Sequence, residues 1–183
     1  MRAVSRIRIC RFLICTFIVT ATAELRADPD FAIPGFFGDF SAGIFCELQP
    51  DSYQDAPQTR AGFIDIFERP FNFVHIGPRV PALPGVGFGI VGLIKIPNQS
   101  RVYRVRLHMP HRATANDEYW DIGIDESDRF WAGYIFDVND RPPLGQGSLS
   151  ILQDNRVLLT QYFEIVAPQD VPELNGLCTD LVF

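Results

Sequence analysis

The chain has 183 residues, with 16 basic and 22 acidic side chains and 47% hydrophobic residues. This length predicts about one folded domain with one core. The acidic balance disfavours nucleic acid and anionic membrane surfaces as partners, because both are negatively charged.

Residues 1–23 have the pattern of a cleaved export signal. Four arginines precede an apolar run from Phe12 to Val19, and the small-x-small triplet Ala-Thr-Ala ends at Ala23. An uncleaved anchor is the alternative, but the run is far shorter than the ~20 residues needed to span a bilayer. We therefore expect an exported protein, periplasmic or extracellular, with no stable membrane insertion after cleavage. The remaining 160 residues carry 12 basic and 22 acidic side chains.

The rest of the chain has the pattern of an all-β protein. No segment has apolar residues at helical spacing for more than two turns, and 14 Gly and 14 Pro residues interrupt the sequence. We predict strands at 40–48, 62–68, 71–76, 88–96, 102–108, 119–124, 130–138, 148–152 and 156–166. Short strands separated by turns indicate a sandwich or a barrel.

The predicted strands divide the chain into four parts. After the signal we expect an N-terminal lead at 24–39, a β-sandwich domain at 40–166 and an irregular C-terminal tail at 167–183. Within the domain, the polar segment 49–60 is typical of a long surface loop. The last two predicted strands alternate apolar and polar residues, which predicts one buried and one solvated face.

Two cysteines remain after signal cleavage, Cys46 and Cys178. An even pair in an oxidising compartment predicts one disulfide, which would hold the tail against the body of the domain. Two separate buried thiols are the alternative, since an unpaired cysteine behaves as a small hydrophobe.

The segment at 85–92 contains G-x-G-x-x-G at Gly87, Gly89 and Gly92. A dinucleotide fingerprint requires a helix after the glycines, whereas a β-rich segment follows here, so we expect neither a nucleotide nor another cofactor. Glycines in a strand leave a bare strip of backbone on which a ring can pack. We predict that an aromatic side chain covers this strip, with Trp131 or Tyr134 preferred.

Several segments resemble a bacterial family of exported domains, domain of unknown function 3859. The segments are "GIFCE", "RVPALPGVGFGIVGLI", "RVRLHMPHR", "GYIFD" and the closing "GSLSILQDNRVLLTQYFEIV", and together they span about residues 40–166. The resemblance implies an immunoglobulin-like antiparallel β-sandwich, here of eight or nine short strands. It implies no known activity, so it supplies no catalytic residues.

A cationic row is predicted on the strand at 102–108. Alternation turns the side chains of Arg104, Arg106 and His108 away from the core. Arginine forks bind carboxylates and phosphates, so these residues are candidate contacts for an acidic group on a partner. The commoner use of such a row is pairing with acidic residues of neighbouring strands, namely Asp121, Asp137 or Glu164.

No motif for catalysis or metal binding is complete. The chain lacks G-x-S-x-G, although a Ser-His-Asp set formed in space by one of the three histidines stays open. The acidic segments 117–121 and 125–128 offer oxygens to calcium but lack the EF-hand glycine and closing glutamate. His108 and His111 have no third ligand nearby, and Pro110 prevents a regular helix between them.

These features predict an exported, non-catalytic module that binds a protein or glycan in the cell envelope. The alternatives are a hydrolytic enzyme with an unrecognised site and a calcium-stabilised envelope domain.

Overall fold

The structure is a computed structural model and describes residues 29–46, 49–95, 102–111, 116–124, 128–137, 141–174 and 176–178. The expected export signal at 1–23 lies outside these ranges. Among the described residues, no helix is long and apolar enough to cross a membrane.

Two sheets share one apolar core, and a small hairpin stands beside them. The first sheet contains β2 (Phe37–Cys46), β5 (His75–Ile76), β7 (Val86–Ile94) and β10 (Arg129–Ile135), in the order β10-β7-β2-β5. The second contains β1 (Phe31–Ala32), β6 (Arg79–Pro81), β8 (Val102–His108), β9 (Glu118–Gly123), β11 (Gly145–Gln153) and β12 (Arg156–Val166). Its order is β1-β12-β11-β8-β9, with β6 beside β12, and β3 (Ser52–Asp55) pairs with β4 (Phe63–Ile66) to form the hairpin.

The strand order is that of an immunoglobulin sandwich. In that fold strands A, B, E and D form one sheet, and strands G, F and C form the other, with C′ added beside C in variable-type domains. Here β12-β11-β8-β9 corresponds to G-F-C-C′, and β2-β7-β10 corresponds to A-B-E. No described strand takes the place of D beyond β10. The predicted immunoglobulin-like β-sandwich is confirmed.

Alternation of apolar residues builds the core, as β8 illustrates. Its inward residues Tyr103, Val105 and Leu107 are at most 2% exposed. The two sheets meet where Phe88 of β7 packs on Phe163 of β12, with ring centroids 4.8 Å apart. Full burial of such side chains contributes about 1.5–3 kcal/mol each, so the alternating pattern is the main stabilising feature of the sandwich.

The structure has twelve described strands where the sequence predicts eight or nine. The additional strands β1, β3 and β6 have two to four residues each and are too short to show a period. β3 lies inside the segment expected to be a loop, and all of its residues are exposed. β6 runs parallel to β12, so the sandwich is not wholly antiparallel.

Both ends of the domain are tied to the sheets. β1, inside the expected lead at 24–39, pairs with β12, and β2 begins at Phe37 rather than at residue 40. The tail forms two short 3-10 turns, Pro168–Asp170 and Pro172–Leu174. Cys178 is bonded to Cys46, 132 positions away. The predicted disulfide is confirmed, and it fastens the tail to the end of β2.

Candidate binding cleft

Glycines flatten the outer face of the first sheet. Gly89 of β7 lies opposite Gly133 of β10, and Gly87 lies opposite Phe45 of β2. The Phe45 ring covers this strip, and the Phe71 ring stacks on Phe45 at a centroid distance of 4.0 Å. A Cβ atom would lie 2.6 Å from the Phe45 ring at Gly87 and 2.8 Å from it at Gly133. The glycines are therefore packing residues, and in the described residues β7 continues past them to Ile94 as a strand.

The aromatic cover is present as predicted, but the preferred rings were wrong. Tyr134 turns inward to the core, 5.9 Å from the ring of Phe88. Trp131 points outward, and its indole N–H donates to the carbonyl of Phe67 at 3.1 Å. Phe45 covers the strip because β2 pairs with β7, an adjacency that period-two patterns do not give.

An open cleft of about 810 Å³ lies beside this aromatic cover. Its walls are the β3–β4 hairpin and the strands β9 and β10, which are the edges of the two sheets. The lining includes the consecutive residues 120–124 and 131–135. Consecutive strand residues point to opposite faces, so a surface lined by all of them follows the edges of the strands.

Hydrogen bonds attach the hairpin loop and the segment after β4 to β9 and β10. The backbone N–H of Arg60 donates to Oε2 of the buried Glu118 at 2.9 Å. The backbone N–H of Tyr119 donates to the carbonyl of Gln58 at 3.2 Å. Together with the bond from Trp131 to Phe67, these contacts attach the hairpin side of the cleft to the strands on its other side.

The cleft combines aromatic and acidic side chains. Eight of its lining residues are aromatic, including Trp120 and the exposed Tyr53. Its acidic lining residues are Asp65, Glu68, Glu118, Asp121 and Asp137, and Arg60 is its basic one. Partial burial raises the pKa of Asp65, because loss of solvent disfavours the carboxylate. Such a surface suits a ligand that is apolar and positively charged.

The expected cationic row lies on the outer face of the second sheet, and none of its three residues lines the cleft. Nε of Arg104 donates to Oδ1 of Asp121 at 2.9 Å, which raises the pKa of Arg104. Nε of Arg106 lies 4.0 Å from Oδ2 of Asp117, and Nδ1 of His108 lies 2.7 Å from Oδ1 of the same residue. Pairing with Asp121 is confirmed, while a role of the row in binding a partner stays a prediction.

The contact between His108 and Asp117 is the arrangement of a general base and its orienting acid. The side chain of Asp117 is 4% exposed and that of His108 is 30% exposed. Ser148 lies directly across from His108 in the register of β11 and β8. Within the described ranges, however, no hydrogen bond joins Ser148 to His108. The pair therefore lacks an engaged nucleophile.

The acidic segment at 117–121 is divided among separate partners. Asp117 contacts His108, Glu118 accepts from Arg60, and Asp121 accepts from Arg104. Across the part of the chain that the structure describes, no group of three or more His, Cys, Asp or Glu side chains is placed to hold a metal ion. Residues 125–127, also expected to offer oxygens to calcium, lie outside that part.

Strand order and register define the chain as an immunoglobulin-like β-sandwich domain. Among solved structures it is similar to an immunoglobulin-like protein from Pseudomonas aeruginosa, with 16% identity and a TM-score of 0.46, over 80% of this chain and 99% of that chain. No protein-family model matches the chain, and no curated protein matches it.

Proposed function

We propose that the mature chain is an exported, non-catalytic binding module of the cell envelope that recognises a segment of another protein in the cleft. The cleft carries this proposal. Its volume of about 810 Å³ falls within the ~300–1,000 Å³ of ligand sites, and its aromatic lining is typical of them. We also propose that the chain is a member of the family domain of unknown function 3859.

Two features support export. Residues 1–23 have the pattern of a signal, and the disulfide between Cys46 and Cys178 is of a kind that persists in oxidising compartments. These features support a periplasmic or extracellular location.

The charge of the cleft supports a cationic ligand. Five acidic residues line it, and among them Asp65 has its pKa raised by burial. A lysine or arginine side chain placed there would favour the carboxylate and would stack on nearby rings. Apolar side chains of the same segment would contact the remaining aromatic surface.

A hydrolytic enzyme is the second candidate, and the 2.7 Å contact between His108 and Asp117 favours it. A fluorophosphonate probe tests this candidate, because it labels an activated serine. Labelling of the wild type that disappears in Ser148→Ala would replace the binding proposal with the enzyme.

The binding proposal is tested by panning the oxidised mature chain against a library of short random peptides. We expect the selected peptides to combine Lys or Arg with apolar residues. The double variant Asp65→Lys, Glu68→Lys should lose them, since it reverses two exposed charges of the cleft with little risk to the core.

Arg106→Ala is the matched control, because Arg106 contacts Asp117 and Ser150, which do not line the cleft, and it should bind the peptides like the wild type. If the control lost binding while the cleft variant kept it, the binding site would be the cationic row and not the cleft. Selection of no peptide, or binding to a glycan array instead, would overturn the proposal of a protein ligand.

A further inference from the structure

The edge of β10 carries backbone groups that the sandwich does not use. Among the described strands, β10 pairs only with β7, and in an immunoglobulin sandwich the strand beyond it would be D. The backbone N–H of Phe136 donates to Val86, and that of Ile94 donates to Asp128. These bonds fix which residues of β10 turn toward β7, because hydrogen-bonded pairs alternate along an antiparallel ladder.

The register then assigns every group on the strand. Residues 130, 132 and 134 direct their N–H and C=O groups to β7, whereas Trp131, Gly133 and Ile135 direct theirs to the free edge. No backbone group among the described residues bonds to the edge groups of these three residues. All three line the cleft.

The side chains of this edge also give it no protection against strand pairing. Natural edge strands are blunted by lysine, proline or an inward charge. Residues 131–135, "WAGYI", contain neither a charge nor a proline. Gly133, in the middle of this edge, has no side chain. On the outer face of the sheet, the rings of Phe45 and Phe71 are therefore the side chains that lie next to its backbone.

We infer that the partner binds by adding an extended strand to the free edge of β10, in the place of strand D. This inference rests on the proposed function and specifies how the cleft holds its ligand. Main-chain hydrogen bonds to Trp131, Gly133 and Ile135 supply affinity, as in other cases of strand addition. Alternate side chains of the added strand reach the aromatic and acidic walls.

Charge complementarity selects the occupant. The added strand is a segment of another polypeptide in which basic and apolar residues alternate. Five acidic residues line the cleft against the one basic lining residue Arg60, and of the five Asp121 is paired with Arg104, so the cleft keeps an excess of negative charge. A second copy of this chain would bring the same acidic surface, on a mature chain with 12 basic and 22 acidic residues. Like charges disfavour that pairing.

A scan with N-methylated peptides tests the mode of binding. The probe is the tightest peptide from the library, synthesised with one backbone N-methyl group at each position in turn. Methylation should weaken binding at least about tenfold at every second position and have little effect between them, because alternate amides of an added strand face β10. Weakening without this period, in a peptide that still requires Asp65 and Glu68, would disprove strand addition and leave the binding site in the cleft.

Amide hydrogen exchange tests the same point on the protein. The peptide should slow exchange at Trp131, Gly133 and Ile135, while Ala132 and Tyr134, already bonded to β7, serve as internal controls. Ile135→Pro removes one N–H donor from the free edge and should weaken peptide binding by about tenfold. The variant should still fold, because an edge strand tolerates proline where the N–H faces away from the sheet. Unchanged exchange at all three amides, or a dimer of this chain that excludes the peptide, would overturn the inference.

Discussion

The outer faces of the two sheets differ in how their polar groups are hydrogen-bonded. On the second sheet, Arg104 bonds Asp121, Arg79 lies 3.3 Å from Glu164, and Ser150 bonds Thr160. On the first sheet, glycines and stacked rings lie next to the edge of β10, beside which no described strand runs. Ion pairs and hydrogen bonds occupy these groups of the second sheet, whereas Nε of the neighbouring Arg106 is buried without a hydrogen-bond partner. The edge of β10 leaves the backbone groups of three residues unbonded within the described ranges, so the binding site is sought at that edge.

Among the variants that test this difference between the sheets, we expect the largest effect from removing the ring that covers the glycines. Phe45→Ala should lower the free energy of unfolding by about 3–5 kcal/mol, because a buried ring leaves a cavity over bare backbone. Urea denaturation measures the change. Tyr162→Ala, at a residue 43% exposed on the other sheet, is the control and should change stability by no more than about 0.5 kcal/mol. Equal losses of stability in the two variants would show that the Phe45 ring stabilises the fold no more than an exposed ring does.

The disulfide tests how firmly the first sheet is held to the tail. Replacing Cys46 and Cys178 together with Ala should cost about 2–4 kcal/mol, because a long loop in the unfolded chain is released. Urea unfolding of the variant and of wild type, with and without reductant, measures this. A variant as stable as the oxidised protein would mean that the tail contacts suffice.

A methyl group in the glycine strip should have an intermediate effect. Gly133→Ala places a Cβ against Phe45 and Phe71 and should destabilise by about 1–3 kcal/mol through overpacking. Gly123→Ala is the matched control, since a Cβ at that glycine of β9 meets nothing within 4 Å. Thermal unfolding of both variants checks the difference, and a harmless Gly133→Ala would show that the stacked rings shift freely.

The smallest expected effect concerns Asp65 and pH. Its pKa is raised in the folded chain, so its contribution to stability is lost as pH rises through that pKa. Asp65→Asn should therefore stabilise the protein near neutral pH, by no more than about 0.5 kcal/mol, and should have no effect below about pH 3. Unfolding at the two pH values measures this, and a destabilised variant at neutral pH would indicate an ion pair at Asp65 instead.

Long alternating segments made most of the sandwich predictable. The bounds of β8 and β12 coincide with the predicted strands, and the inward residues of β8 are buried. The short strands β3 and β6 carry no period, and the ring over the glycines depends on which strands are neighbours. The cleft escaped prediction for the same reason, since its walls come from three separate segments that only the tertiary fold brings together.

The bond between Cys46 and Cys178 also imposes an order of events. A chain that emerges from its amino end presents the first sulfur long before the second exists, 132 positions later. Closure of the ring must therefore wait until Cys178 has been synthesised, and a product truncated before Cys178 keeps a thiol at the end of β2. Reactivity of Cys46 toward a thiol reagent would thus distinguish chains that lack Cys178 from chains that contain it.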